Sequence, residues 1–119
     1  MKSGSRIALA SIATAVAVIG TTAGPASASD GPLISTGPSS AKYYGATDTF
    51  RLCDGSATNG ARVEWETLSL SGSHTNTSDT CRNYDHAFVK GTRVRYRVCD
   101  VRPNGPDPCS AWVVGYSDS

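Results

Sequence analysis

Two histidines, His74 and His86, and two glutamates, Glu64 and Glu66, are the first candidates for proton transfer in this sequence. His74 lies in the polar stretch Ser71 to Thr80, and His86 stands between Tyr84 and Phe88. A nucleophilic triad needs a histidine oriented by a carboxylate and set beside a serine or cysteine. Asp85 adjoins His86, but neighbours on a strand point to opposite faces, and no nucleophile elbow is visible. The expectation is an exposed His74 and a partly packed His86, with no catalytic residue. Glu64 and Glu66 flank Trp65 with period two and so share the face opposite Val63 and Trp65. Paired acids cleave glycosides when about 5 to 9 Å apart across a cleft. So small a domain leaves little room for a cleft, and the acids are expected to pair with arginines across a sheet.

Those arginines are Arg93, Arg95 and Arg97, three guanidinium groups on one strand face that form one candidate binding surface for a polyanion or an acidic protein. A second candidate is the segment from Asp100 to Pro108, with Arg102, Pro103 and Asn104 near its tip. Asp79, Asn83 and Asp85 supply oxygens, yet their spacing lacks the glycine and terminal glutamate of a calcium loop. Asn76-Thr77-Ser78 matches a glycosylation sequon and reads as part of a Ser/Thr-rich loop. Cys53, Cys81, Cys99 and Cys109 include no CxxC pair, which disfavours zinc and redox motifs. No metal or cofactor is expected.

The compartment follows from the first residues. Lys2 and Arg6, an apolar stretch from Ile7 to Ile19 and the triplet Ala26-Ser27-Ala28 have the order of a cleavable secretory signal over 1–28. The apolar stretch is shorter than the roughly 20 residues that span a bilayer. Cleavage after Ala28 leaves 91 of the 119 residues, and loss of Lys2 and Arg6 leaves nine basic against ten acidic side chains. Such a balance gives no general reason to bind nucleic acid or anionic lipid. Four cysteines in a short exported chain read as two disulfides. The product is expected to be secreted and free of the membrane after cleavage, with its oligomeric state left open.

Residues 29–46 are dominated by Ser, Gly, Pro, Ala and Thr and read as a flexible lead-in to a domain over 47–119, with Tyr43 and Tyr44 docking its end. From Thr47 onward, β-branched and aromatic runs alternate with turn signals at Asp54-Gly55, Asn59-Gly60, Ser71-Gly72, Lys90-Gly91 and Asn104-Gly105. The expected fold is all-β: a small antiparallel β-sandwich of immunoglobulin/fibronectin-like type with two disulfides. The clearest strand covers 92–99, with Val94, Tyr96 and Val98 alternating with the arginines, and a second lies near 109–116. If Cys99 faces Cys109, Tyr96 falls opposite Trp112, Val94 opposite Val114, Arg97 opposite Ala111 and Arg95 opposite Val113. That register puts the large apolar groups on one face and the arginines on the other.

The run Val89 to Val98, followed by Ser110 to Val113, resembles the last two strands of fibronectin type III domains, which implies a sandwich-like hairpin. The leader, rich in Ala, Thr, Gly and Ser, resembles those of Streptomyces-type actinobacteria. An immunoglobulin pairing would place the second cysteine on the core face two residues after a tyrosine. Here Tyr96 is three residues before Cys99, so Cys99 falls on the arginine face. Cys53–Cys81 with Cys99–Cys109 is the favoured pairing, and the crossed pairings are its alternatives. The functional expectation is a secreted, non-enzymatic binding protein whose partner is an extracellular protein or a cell-wall polymer. Its narrower form is an inhibitor of an extracellular hydrolase. The alternatives are a small secreted enzyme and a structural component of the cell surface.

Overall fold

The structure is a computed structural model that describes residues 29–118. The signal expected over 1–28 lies outside the described residues. Eight strands follow in order: β1 (Ile34–Thr36), β2 (Ser39–Tyr44), β3 (Thr49–Asp54), β4 (Gly60–Glu66), β5 (Ser71–Asn76), β6 (Cys81–Asp85), β7 (Arg93–Val101) and β8 (Val113–Tyr116). They form two four-stranded antiparallel sheets, ordered β1-β2-β3-β6 and β5-β4-β7-β8, packed as a sandwich. Both favoured disulfides are present, Cys53–Cys81 across the β3/β6 pair and Cys99–Cys109 at the head of the β7/β8 hairpin.

Period-two alternation determines which face each strand buries. Ala61, Val63 and Trp65 of β4 and Val94, Tyr96 and Val98 of β7 face inward, where they meet Ala41 and Tyr43 of β2 and Phe50 and Leu52 of β3. Tyr43, Phe50 and Tyr96 are fully buried, with ring centroids 5.0 to 6.2 Å apart. The Tyr96 hydroxyl donates to the Pro32 carbonyl at 2.6 Å, and burial pushes its pKa up to about 12. Tyr43 donates to the buried Asp48 carboxylate, which also accepts the Phe88 backbone N–H.

In the layout of the strands, sequence and structure differ in three places. Residues 29–46 are not a lead-in outside the fold: they contain β1 and β2, and Ser29 exchanges two backbone hydrogen bonds with Tyr116. Ser39, Ala41 and Tyr43 do alternate inward, but two of the three are small, so composition hid the period. Ser71-Gly72 lies inside β5 instead of forming a turn, and the chain reverses over 67–70, closed by Thr67 N–H to Leu70 carbonyl.

The third difference is the register of the last hairpin. Cys99 does face Cys109, but Tyr96 faces Val113, Val94 faces Gly115 and Arg95 faces Val114. Three steps along β7 are thus matched by four on the other strand, which is a β-bulge between Cys109 and Val113. Ser110 fits the bulge by donating its N–H to the Val98 carbonyl at 2.8 Å while its Oγ accepts the Val98 N–H at 3.1 Å. The bulge exchanges the faces, so that Val113 and Gly115 turn to the core and Trp112 and Val114 to the arginine side. Packing gives the reason: a Cβ at position 115 would stand 2.6 Å from the Tyr43 ring, so the core has no room there for a side chain.

Candidate functional site

Three groups of side chains have site-like geometry. The first is the loop closed by Cys99–Cys109, which lies at the same pole as the 55–59 and 77–80 loops. It is braced from within: Asp107 accepts the Arg102 backbone N–H and the Arg62 guanidinium, each at 2.9 Å, and Asp100 N–H reaches the Pro108 carbonyl. The Arg102 N–H and Arg62 hold the Asp107 carboxyl below its usual pKa. The Asp100 carboxylate is fully buried and accepts Ser39 Oγ at 3.1 Å, with Asn59 Nδ2 and Arg102 Nε at 3.2 Å. It therefore ties the loop to the head of β2 and to the 55–59 loop. Pro103, Asn104, Gly105 and Pro106 stand exposed at the tip. Arg102 is half tethered to Asp100 and keeps 49% of its side chain exposed.

The second group is the outer face of the β5-β4-β7-β8 sheet. Arg95 pairs with Glu66 at 2.6 Å, Arg97 with Glu64 at 2.8 Å, and Arg62 bridges Glu64 and Asp107 at 2.9 Å each. The expected cross-strand pairing of the two glutamates with the arginine row is present. Burial opposes ionisation of Glu64, but the hydrogen bonds from Arg97 and Arg62 outweigh it and hold its pKa below the usual value. The bulge lays Trp112 over this ladder, with the Arg95 and Arg97 guanidinium carbons 4.2 and 4.7 Å from the ring. The indole thus makes two cation–π contacts. The sequence assigned Trp112 to the core by hydrophobicity, and the signal that it stacks on arginines lies in the bulge alone. Arg93, at the end of the row, is exposed.

The third group joins the free margins of the two sheets. His74 of β5 and His86, just past β6, approach at 2.7 Å between their Nε2 atoms. At that distance one ring donates and the other accepts, so the pair shares one proton. His74 stacks on Tyr84 and His86 on Phe88, while Trp65 and Phe50 meet His86 edge-on. The Trp65 Nε1 is buried in this cluster without a hydrogen-bond partner. Burial lowers the pKa of both histidines; the neighbouring His86 adds to the effect at His74, whereas Asp48 and Asp85 oppose it at His86. His74, expected to be exposed, is instead half-buried. The Asp85 carboxylate bonds to Thr49 Oγ1. Among the described residues no group of three or more His, Cys, Asp and Glu side chains converges as a metal site. Comparison with protein-family models, curated proteins and solved structures returned no match.

Proposed function

We propose that this chain works outside the cell as a non-catalytic binding protein, and that it engages an extracellular protein through the 100–108 loop. The observation that carries this reading is the loop's preorganisation. A disulfide, three prolines, the Asp107 brace and the Asp100 anchor leave the exposed tip little freedom to lose on contact. Rigid loops on a sheet scaffold are where binding residues concentrate. Export through residues 1–28 and the two disulfides fit an oxidising compartment. The partner class we favour is a secreted hydrolase, with Asn104 and Arg102 as contacts and inhibition as the outcome. Pro103, directly after Arg102, points to blockade by occupancy instead of a substrate-like mode.

The test is a pull-down from culture supernatant with the oxidised domain immobilised, followed by activity assays on the captured protein. Variants Arg102→Ala and Asn104→Ala are then compared with the triple variant Arg93/Arg95/Arg97→Ala. Loss of capture in the loop variants alone supports the proposal. Loss in the triple variant alone moves the contact to the sheet face and ends the loop reading.

A further inference from the structure

The outer sheet face has a geometry that the loop reading does not use. A shallow, open groove of about 360 Å³ lies on it, lined by Trp112, by Glu64, Trp65 and Glu66 of β4 and by the 71–73 edge of β5. We propose that this groove is a second binding site, for an uncharged saccharide chain lying across the strands.

The charge pattern selects the ligand class. Arg62, Arg95 and Arg97 are matched by Glu64, Glu66 and Asp107, so that, apart from Arg93 exposed at the end of the row, the charges of this face are already paired and offer little to a polyanion. Seating a sulfate or phosphate there would require breaking ion pairs already made. The ladder nevertheless leaves hydrogen-bonding capacity. Arg97 donates its Nε–H to Glu64, with Nη2 at 2.8 Å from the same oxygen, and a guanidinium carries five donors. The Glu66 side chain is 41% exposed, and Ser71 and Ser73 are exposed at the rim. Trp112, pinned by two arginines, adds an apolar plane that is already immobilised.

A pyranose ring matches this set. Its C–H face stacks on an indole, and each hydroxyl both donates and accepts, so it can use paired guanidinium and carboxylate groups without separating them. A purely apolar ligand would leave those groups dry and unpaired, at a cost. The cross-strand ladder also prepositions the polar atoms, which lowers the ordering cost of binding.

The test uses the oxidised domain with cellohexaose, chitohexaose and xylohexaose as soluble probes and heparin as the polyanion, read by titration calorimetry and by tryptophan fluorescence. We expect at least one neutral hexasaccharide to bind and to perturb Trp112 emission. Trp112→Ala should weaken it about ten-fold, the worth of one lost stacking contact. Ser73→Leu, an exposed edge substitution that fills the groove, should weaken it as well, while Arg102→Ala leaves it unchanged. If Trp112→Ala fails to fold, Ser73→Leu decides. No binding of any neutral probe by the folded wild type overturns the proposal, as does binding indifferent to both groove variants or tighter binding of heparin. Because Arg102 takes no part in this groove, failure here leaves the loop reading standing, and the reverse also holds.

Discussion

Tyr96 offers the sharpest test of which face of β7 is buried and of what its hydroxyl does. Tyr96→Ala deletes a fully buried ring that meets Tyr43 and Phe50, and deletions of that size cost about 3 to 5 kcal/mol. Tyr96→Phe keeps the ring but removes the 2.6 Å bond to the Pro32 carbonyl and a longer 3.4 Å bond from the Tyr43 N–H. Pro32 is exposed, whereas the Tyr43 N–H is buried and left without this partner, so the loss is about 1 to 2 kcal/mol. In a domain of this length 1 kcal/mol moves the melting temperature by about 5 °C. The melting temperature by circular dichroism should therefore fall by about 5 to 10 °C for Tyr96→Phe and by about 15 to 25 °C for Tyr96→Ala. Arg95→Ala breaks a half-exposed pair with Glu66 and should cost under about 1 kcal/mol. Equal losses for Tyr96→Ala and Arg95→Ala would refute the assignment of faces. A Phe variant as damaged as the Ala variant would mean that the hydroxyl, and not the ring, carries the stability.

Acid should weaken the sheet margins. Both histidine pKa values are lowered by folding, so their contribution is complete above the ordinary value near 6.5 and is lost as pH falls below it. Melting temperatures at pH 7.5 and 4.5 should differ less in His74→Gln than in the wild type, and an unchanged difference would remove the pair from the account. Gly72→Ala should destabilise by about 1 to 3 kcal/mol, because its Cβ would sit 2.7 Å from Trp65 Cζ2; denaturant titration measures this. Alkylation without reductant should label no thiol, and replacing the Cys53–Cys81 pair by serines should cost more than replacing Cys99–Cys109, about 3.6 against 2.8 kcal/mol from loop length alone.

What the sequence revealed depended on side-chain size. In β4 and β7 large apolar and charged residues alternate, so the buried face, the pairing of the glutamates with the arginine row and the position of Cys99 could all be read directly. In β2 the same period is written in Ser39 and Ala41, and in β5 the inward position opposite Val63 is a histidine, so neither announced itself. The bulge was hidden for another reason. Alternation within the last strand permits either register, and the choice rests on Tyr43, about seventy residues away, which fills the space beneath Gly115. The Trp112 stack and the His74/His86 contact depend on such remote neighbours, which a local pattern does not specify.

Both cross-links lie at one pole of the sandwich, together with the buried Asp54, Asn76 and Asp100 and their hydrogen bonds. The opposite pole, with the 67–70 turn, the 86–92 segment and the exposed Leu68, Leu70 and Val89, has none of these cross-links. Backbone amides should therefore exchange with solvent along a gradient. At the fastened pole the amides of Leu52 and Val98 wait for global opening, while those around Leu68 and Val89 open locally at small cost. The molecule is held like a hinged book, and the tip that we assign to recognition projects from the bound edge.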